Sequence, residues 1–427
     1  MSIEPAATHP TPPQSPPPQS PRSPVPHPGA GADPTPLALT AALALLSFVV
    51  PLATDMYLPA FPRMADELHT DASGLQLTLT AFLFGLAAGQ LVLGPLSDRC
   101  GRRRPILIGA AVCTVATALC AVAPSLWTLI ALRFVMGFSG AAGVVVGRAV
   151  VSDLASGAAA ARLFGVLMAL GGIAPIVAPL VGGVVVAGAG WRAVFGILAG
   201  ASLLTFLAAL FAVPESLPVE RRGGGGVRAV VRASAGVLRD RAYLGYAFAF
   251  AFGCGALFCY IAASPFLLQN VLGFGVRESS VAFAVGALTA TLASVANVRL
   301  VARYDPRLLL RVGLLTMSAT SACALLITLA GRLDRFWALG LVGVGFLGLG
   351  QVFATATALA IERVPQATGA GSAVLGTLQS VLGAVVAPLM GVAGRHTAVP
   401  LFLGMTVCSA AAVAALALTR GRAGVEA

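Results

Sequence analysis

The chain has 427 residues, 58% hydrophobic and 10% charged, with a formal net charge of +11 and a mean hydropathy of +0.91. These charges are too few to cover the surface of a soluble domain of this length. All 27 basic residues are Arg, scattered in short loops between apolar blocks, so membrane topology accounts for the positive balance better than nucleic-acid binding does.

Residues 1–36 contain 13 Pro among Ser, Gln, Thr and Ala. Such a segment cannot bury apolar surface and reads as a disordered cytoplasmic tail. It lacks the basic start and cleavage site of a signal peptide. About twelve hydrophobic segments follow, near 38–60, 75–97, 105–123, 127–150, 163–187 and 192–213, then 242–267, 279–301, 308–330, 336–360, 370–394 and 399–419. Each is long enough to cross the roughly 30 Å hydrocarbon core as a helix, and none shows the two-residue alternation of barrel strands. The break at 214–241, with four consecutive Gly and six Arg, divides them into two halves. The expected fold is therefore all-α and membrane-embedded: a six-helix bundle at 37–213, a cytoplasmic linker at 214–241, a second six-helix bundle at 242–420 and a short tail at 421–427. With both termini cytoplasmic, twenty Arg fall on inside loops and tails and six on outside loops, the bias expected of that orientation. The Arg-only, Ala- and Gly-rich composition reads as a GC-rich bacterial genome, which makes the membrane the bacterial cytoplasmic one.

Asp55, in Thr54-Asp55-Met56-Tyr57-Leu58-Pro59, is the only acidic residue inside a predicted span. A carboxylate at that depth is costly unless it is protonated, paired or facing water, so the position suits a proton carrier. The alternative is an Asp near the outer helix end that snorkels or caps. The loop 94–104 carries Gly94, Asp98, Arg99, Gly101, Arg102, Arg103 and Arg104. Asp98 is placed to pair with Arg102 or to cap a neighbouring helix, and the two Gly allow a tight turn; a plain topogenic cluster explains the Arg but not Asp98 and the two Gly. Arg133 is the only Arg well inside a span, more than three residues from either end. It cannot shed its charge and needs a partner, for which Asp55 or its neighbourhood is the candidate. A helix-end Arg reaching the headgroups is the competing account, with Trp127 six residues away. The fifth span holds Gly171, Gly172, Pro175, Pro179, Gly182 and Gly183, a pattern that kinks a helix and lets others approach closely. Tyr57, Tyr260, Gln90, Gln351 and Gln379 are the candidates for lining a substrate cavity. Interfacial belting for Tyr260, and helix-to-helix bonding for the three Gln, explain them equally well. Seven Cys without a CxxC pair and four His outside every apolar block indicate no metal site, no disulfide framework and no cofactor. Clustered nucleophiles or paired acids, which an embedded enzyme would need, are not found inside the spans.

The second half echoes the first weakly: 297–307 parallels the 94–104 loop, and 388–391 parallels 179–183. Two parallel repeats place a substrate site at their interface near the midplane. The loop 94–104 resembles the signature loop of the major facilitator superfamily. The segments 54–59 and 260–266 resemble its Bcr/CflA drug-resistance branch, and the fifth span is similar to the antiporter motif of drug:proton exporters, with Ala-Pro in place of Gly-Pro. The resemblance covers about 38–420. It implies a monomeric exporter of drug-like molecules driven by proton entry, with Asp55 and Arg133 coupling the proton. A dedicated exporter of one endogenous metabolite or antibiotic is the alternative, and a nutrient importer or a non-transporting receptor a more distant one. Met136 stands where that group has a Gln, and Ser47 where some members carry a second acid.

Overall fold

The computed structural model describes residues 37–155, 157–222, 235–365 and 368–420. The Pro-rich tail, the four-Gly run of the linker and the residues after 420 lie outside them. The described residues form helices: α1 (Leu37–Asp55), a short α2 (Phe61–Glu67), α3 (Ala72–Cys100), α4 (Arg103–Ala121), α5 (Leu126–Leu154), α6 (Gly157–Ala212), α7 (Arg241–Phe266), α8 (Val276–Val301), α9 (Pro306–Leu329), α10 (Arg335–Glu362), α11 (Thr368–Leu389) and α12 (Val399–Ala415).

Eleven stretches are long and apolar enough to cross a membrane. One of them lies in the 56-residue α6, which at 1.5 Å per residue would reach about 84 Å, far beyond a roughly 30 Å hydrocarbon core. Gly190 breaks it with φ 80° and ψ 178°, a left-handed conformation that side chains with a Cβ resist. The element is thus two spans joined by a reversal, and the expected count of twelve is met.

Charged residues in the loops serve as helix caps. Asp71 accepts from Gly74 N (2.6 Å), Asp240 from Tyr243 N (2.8 Å), Asp305 from Arg307 N (2.8 Å) and Asp334 from Trp337 N (2.8 Å). Each satisfies a donor that the first helical turn leaves open and places a negative charge at the positive end of the dipole. Four of the scarce acids of this chain are thus used where a helix starts.

Within the first half α3 packs on α5, α4 on α5 and α6, and α1 on α6; within the second, α10 packs on α8 and α9, and α7 on α11 and α12. The halves meet through α3 against α11 and through α6 against α8. One end of this interface is tied together. Arg395 bonds the Asp66 carboxylate and the Thr70 carbonyl. Ser73 Oγ donates to the Pro388 carbonyl, Gln76 Nε2 to the Ala262 carbonyl and Thr80 Oγ1 to the Ala384 carbonyl, each at 3.0 Å. Gln269 Nε2 donates to the Pro59 carbonyl at 3.0 Å, and Phe61 packs on Phe266 with centroids 6.1 Å apart. At the opposite end, where Arg102 and Glu215 lie, no hydrogen bond or ion pair joins the halves among the described residues. The polar ties between the halves are gathered at the Asp66–Arg395 end.

Candidate functional site

Asp55 owes its place to two prolines. Pro51 interrupts the α1 ladder, and Pro59 has no N–H to give the Asp55 carbonyl, so the helix stops at Asp55. The chain continues through a tight turn at 56–57 and a short 3-10 segment, Leu58–Ala60. This break puts Asp55 and Tyr57 in the protein interior. Asp55 is 4% exposed, and its Oδ1 has no hydrogen-bond partner among the described residues. It is neither snorkelling to an interface nor capping a helix.

Arg133 is fully buried on α5, which excludes the account in which it reaches the headgroups. Its expected partner was Asp55 or the neighbourhood of Asp55, and the structure assigns the neighbourhood: Nη1 donates to the Ala53 carbonyl at 3.0 Å and approaches Met136 Sδ at 3.6 Å. No ion pair links Arg133 to Asp55 among the described residues. Nε and Nη2 have no hydrogen-bond partner there either. The guanidinium is boxed by aromatic faces instead, with its carbon 4.2 Å from the Tyr57 centroid, 4.4 Å from Phe82 and 6.0 Å from Phe195. Tyr57 is held in turn by a 3.2 Å hydrogen bond with Thr78 and by Phe61, 5.1 Å away. A weakly hydrated planar cation suits such a box, since each aromatic face contributes up to about 2 kcal/mol once desolvated. Phe82, Thr78 and Phe195 were missed at the sequence level, because an aromatic residue in an apolar span carries no mark that distinguishes a cage from packing.

The Pro-Gly stretch of α6 lies behind this site. A Cβ at Gly182 would run into the backbone carbonyl of Met56, the residue after Asp55, and one at Gly183 into Ser280 of α8 in the other half. Thr291 of α8 also donates to the Gly172 carbonyl at 3.2 Å. One helix limb therefore touches both the turn that carries Asp55 and the opposite half. Gly182→Ala is expected to lower thermal stability by about 1–3 kcal/mol, the usual cost of overpacking. Gly188→Ala, in the same limb but with open space around it, is expected to leave stability unchanged or raise it by up to about 1 kcal/mol. Thermal unfolding of both variants in detergent checks the pair, and equal effects would remove the close approach as the reason for Gly182.

The loop 94–104 builds a network at the end opposite Asp66 and Arg395. Gly101 turns it with φ 89°. Arg102 bonds Asp98 Oδ1 (2.5 Å), Ser97 Oγ (2.7 Å) and Asp153 Oδ2 (3.0 Å), and its backbone N–H donates to Glu215 Oε1 (2.8 Å). Arg103 donates to the Leu210 carbonyl at 2.9 Å, whereas Arg99 is exposed. The pairing of Asp98 with Arg102 follows the first of the two sequence expectations. Asp153 and Glu215 were not foreseen; their only signal is an acid at a helix end among many Arg. Burial pulls the Arg102 guanidinium down, but the bonds from Asp153 and Asp98 outweigh it and hold the group above its ordinary value. Burial likewise pushes the Glu215 carboxyl up. Backbone N–H groups of Arg102, Leu217 and Arg103, with the charge of Arg222, prevail and hold it below its ordinary 4.5. Folded Glu215 thus binds its proton less readily than the unfolded chain does, and its contribution is complete above that value and fades as pH falls below it. The difference in melting temperature between wild type and Glu215→Gln is expected to be constant above about pH 5 and to narrow as pH falls below that. A pH series of melting curves in detergent reads it; a gap that persists at low pH would show that Glu215 acts without its charge.

The candidate cavity residues are not gathered in one place. Tyr57 belongs to the Arg133 box. Gln90 of α3 points its Oε1 towards Gly376 of α11, across the halves. Gln351 of α10 packs its Cβ beside Gly313 of α9, and its Oε1 is buried without a partner among the described residues. Gln379 is half-buried on α11. Tyr260 lies inside the second half, stacked on Phe283 at 5.5 Å and edge-on to Phe346 at 5.0 Å.

The family pattern described as Major Facilitator Superfamily matches residues 43–388. The chain belongs to this superfamily of membrane transporters. The uncharacterized MFS-type transporter YdgK of Bacillus subtilis is 34% identical over 394 residues, spanning 91% of this chain and 97% of that protein. The bicyclomycin resistance protein homolog of Haemophilus influenzae is 31% identical over 367 residues, spanning 86% and 92%. Among solved structures, an inward-facing, occupied bacterial homolog of the human lysosomal transporter Spinster superposes with a TM-score of 0.67 at 16% identity, covering 91% of this chain and 95% of that one. That likeness shows the fold. The relatives agree with the resemblance to the Bcr/CflA drug-resistance branch, and a major facilitator is a transporter rather than an enzyme.

Proposed function

We propose that this major facilitator exports small drug-like molecules, of the kind named by its bicyclomycin-resistance relative, in exchange for protons. Buried Asp55 is the observation that carries the reading: one carboxylate oxygen has no partner among the described residues, and Ala53, two residues away, holds Arg133, the only Arg well inside a span. A carboxyl so placed can exchange a proton with a substrate for one site, and differential affinity for the two is what couples their movements. Arg133 supplies a fixed positive charge beside it. Gly182, against the Met56 carbonyl, and Gly183, against α8, give the halves a mechanical route to the Asp55 turn.

The twenty-to-six distribution of Arg supports an orientation with both termini in the cytoplasm, in a bacterial inner membrane. The Asp66–Arg395 end then faces outward, and polar ties gathered there support a state that loads substrate from inside. The Arg102 network sits on the cytoplasmic rim, where it ties the α3–α4 loop to the ends of α5 and α6. Alternating access within a single chain needs no partner subunit, so the unit of transport is the monomer.

The test is proton release from energised everted vesicles, followed with a pH-quenched dye while bicyclomycin, chloramphenicol and sulfonamides are added in turn. Release on addition of at least one drug supports antiport. Silence towards all of them, with drug exclusion from cells unchanged, would overturn the drug-export reading and leave a carrier dedicated to one metabolite.

A further inference from the structure

The second half contains a cleft of about 500 Å³ between α8 and α10 that the transport reading does not use. Its mouth is Arg277, in the first turn of α8 at the Asp66–Arg395 end. Its walls include Val281, Val285 and Leu339, all exposed on the outer surface of the bundle, where a membrane-embedded protein meets lipid. Its floor is Tyr260 from α7.

Four observations mark this as a built site rather than a packing gap. Tyr260 is 2% exposed and lines the cleft, and its hydroxyl, which makes no hydrogen bond among the described residues, is not one of the fully enclosed unpartnered groups but opens into that space. A hydroxyl that opens into an apolar cleft is free to donate to an acceptor that enters it. Gly343 also lines the cleft, with no atom within 4 Å of where its Cβ would be, so the space is not closed by its own walls. The mouth holds both signs: the Glu278 carboxylate is turned to the Gly275 N–H (2.9 Å), whereas Arg277 has no partner among the described residues. Arg335, which donates to the Leu272 and Gly273 carbonyls, backs the Phe274 wall at 4.6 Å. Finally, the length fits one leaflet. From Arg277 to Thr289 the cleft follows twelve residues of α8, about 18 Å of helical rise, against about 15 Å for half a hydrocarbon core.

From these we infer that the α8–α10 cleft binds one anionic phospholipid from the adjoining leaflet, its phosphate on Arg277 and one acyl chain along α8. Tyr260, level with the Phe283 ring it stacks on, lies about 9 Å of helical rise below Arg277. Its hydroxyl there donates to the acyl ester carbonyl that lies beneath the phosphate. A cation at the interface attracts an anionic headgroup over a zwitterionic one by about 1 kcal/mol, or 5-fold. The bound chain fills the space between α8 and α10. Because α8 also packs on the Gly183 region of α6, the lipid braces the helix through which the halves touch. The site needs only the membrane-spanning fold, and it stands whether or not the exported molecule is a drug.

Native mass spectrometry of the full chain, released from detergent in the presence of equimolar phosphatidylglycerol and phosphatidylcholine, tests this. One retained phosphatidylglycerol, favoured about 5-fold, is expected for wild type. Arg277→Gln is expected to abolish the preference, Tyr260→Phe to weaken retention and Gly343→Leu to remove the bound lipid. Gly196→Leu, in equally open space in the first half, is expected to retain it. Melting curves confirm that each variant is folded. Retention of phosphatidylglycerol by folded Gly343→Leu at the wild-type level, equal binding of the two lipids by wild type, or no retained lipid at all would each overturn the assignment. Drug-driven proton release fails independently of these outcomes, so loss of the export reading and loss of this one are distinguishable.

Discussion

Asp55→Asn is expected to abolish drug-triggered proton release from everted vesicles while drug binding in detergent survives. The amide has the shape of the protonated acid but cannot gain or lose a proton, so the carrier is locked into one protonation state. Coupling between two linked ligands is usually worth about 1–3 kcal/mol, or 5–150-fold, and pH-driven drug accumulation should fall by about that factor. The sign of the pH dependence follows from competition at one carboxyl. In wild type, drug affinity weakens as pH falls, because the proton takes the Asp55 oxygen; in Asp55→Asn it is flat with pH. Equilibrium binding across a pH series, run beside the vesicle assay, reads both effects. Full pH-driven efflux by Asp55→Asn would falsify the assignment of the proton to this residue. Ser47, at the position where some related exporters carry a second acid, leaves Asp55 as the only carboxyl within a span.

Arg133→Met is expected to abolish transport and yet raise thermal stability. Two guanidinium nitrogens are buried without hydrogen-bond partners among the described residues, and an unsatisfied buried donor costs about 1–3 kcal/mol. Replacing a buried charge by an apolar side chain of similar volume often stabilises a fold by about 1–4 kcal/mol. Against this stands the loss of the Tyr57 and Phe82 contacts, about 2 kcal/mol each at most, some of which the Met thioether recovers against the same rings. A rise in melting temperature with no drug-driven proton release would identify Arg133 as a charge retained for function at the expense of stability. Lower stability with transport intact would make it a structural residue held by the Ala53 carbonyl. Arg133→Lys separates charge from shape: a compact, strongly hydrated ammonium does not stack between two rings, so transport is expected to fall although the charge is kept.

Much of this was legible in the sequence. Span count, the division into two halves and the orientation bias follow from runs of apolar residues and from the placement of Arg, both local properties of composition. The bilayer enforces them, because a spanning segment must satisfy its backbone internally over a fixed thickness. Asp55 and Arg133 stood out for the same reason: an ionisable residue in an apolar run is conspicuous wherever its partners lie. Even the reversal at Gly190 left a trace, as the gap between the segments ending at 187 and beginning at 192.

What only the tertiary structure decided is who meets whom. Arg133 takes the Ala53 carbonyl, 80 residues away, and aromatic faces from three other parts of the chain. Arg102 takes Asp153 and Glu215, 51 and 113 residues away. Gly182 meets Met56, and Tyr260 joins the α8–α10 cleft while the three Gln disperse. In a soluble protein the hydrophobic pattern would have marked the inward face of each helix. Here lipid is as apolar as the protein interior, so the pattern does not tell a lipid-facing side from a packed one, and helix pairing is settled by close contact of small residues and by a few buried polar groups. Those preferences act between distant parts of the chain, and only the folded bundle brings them together.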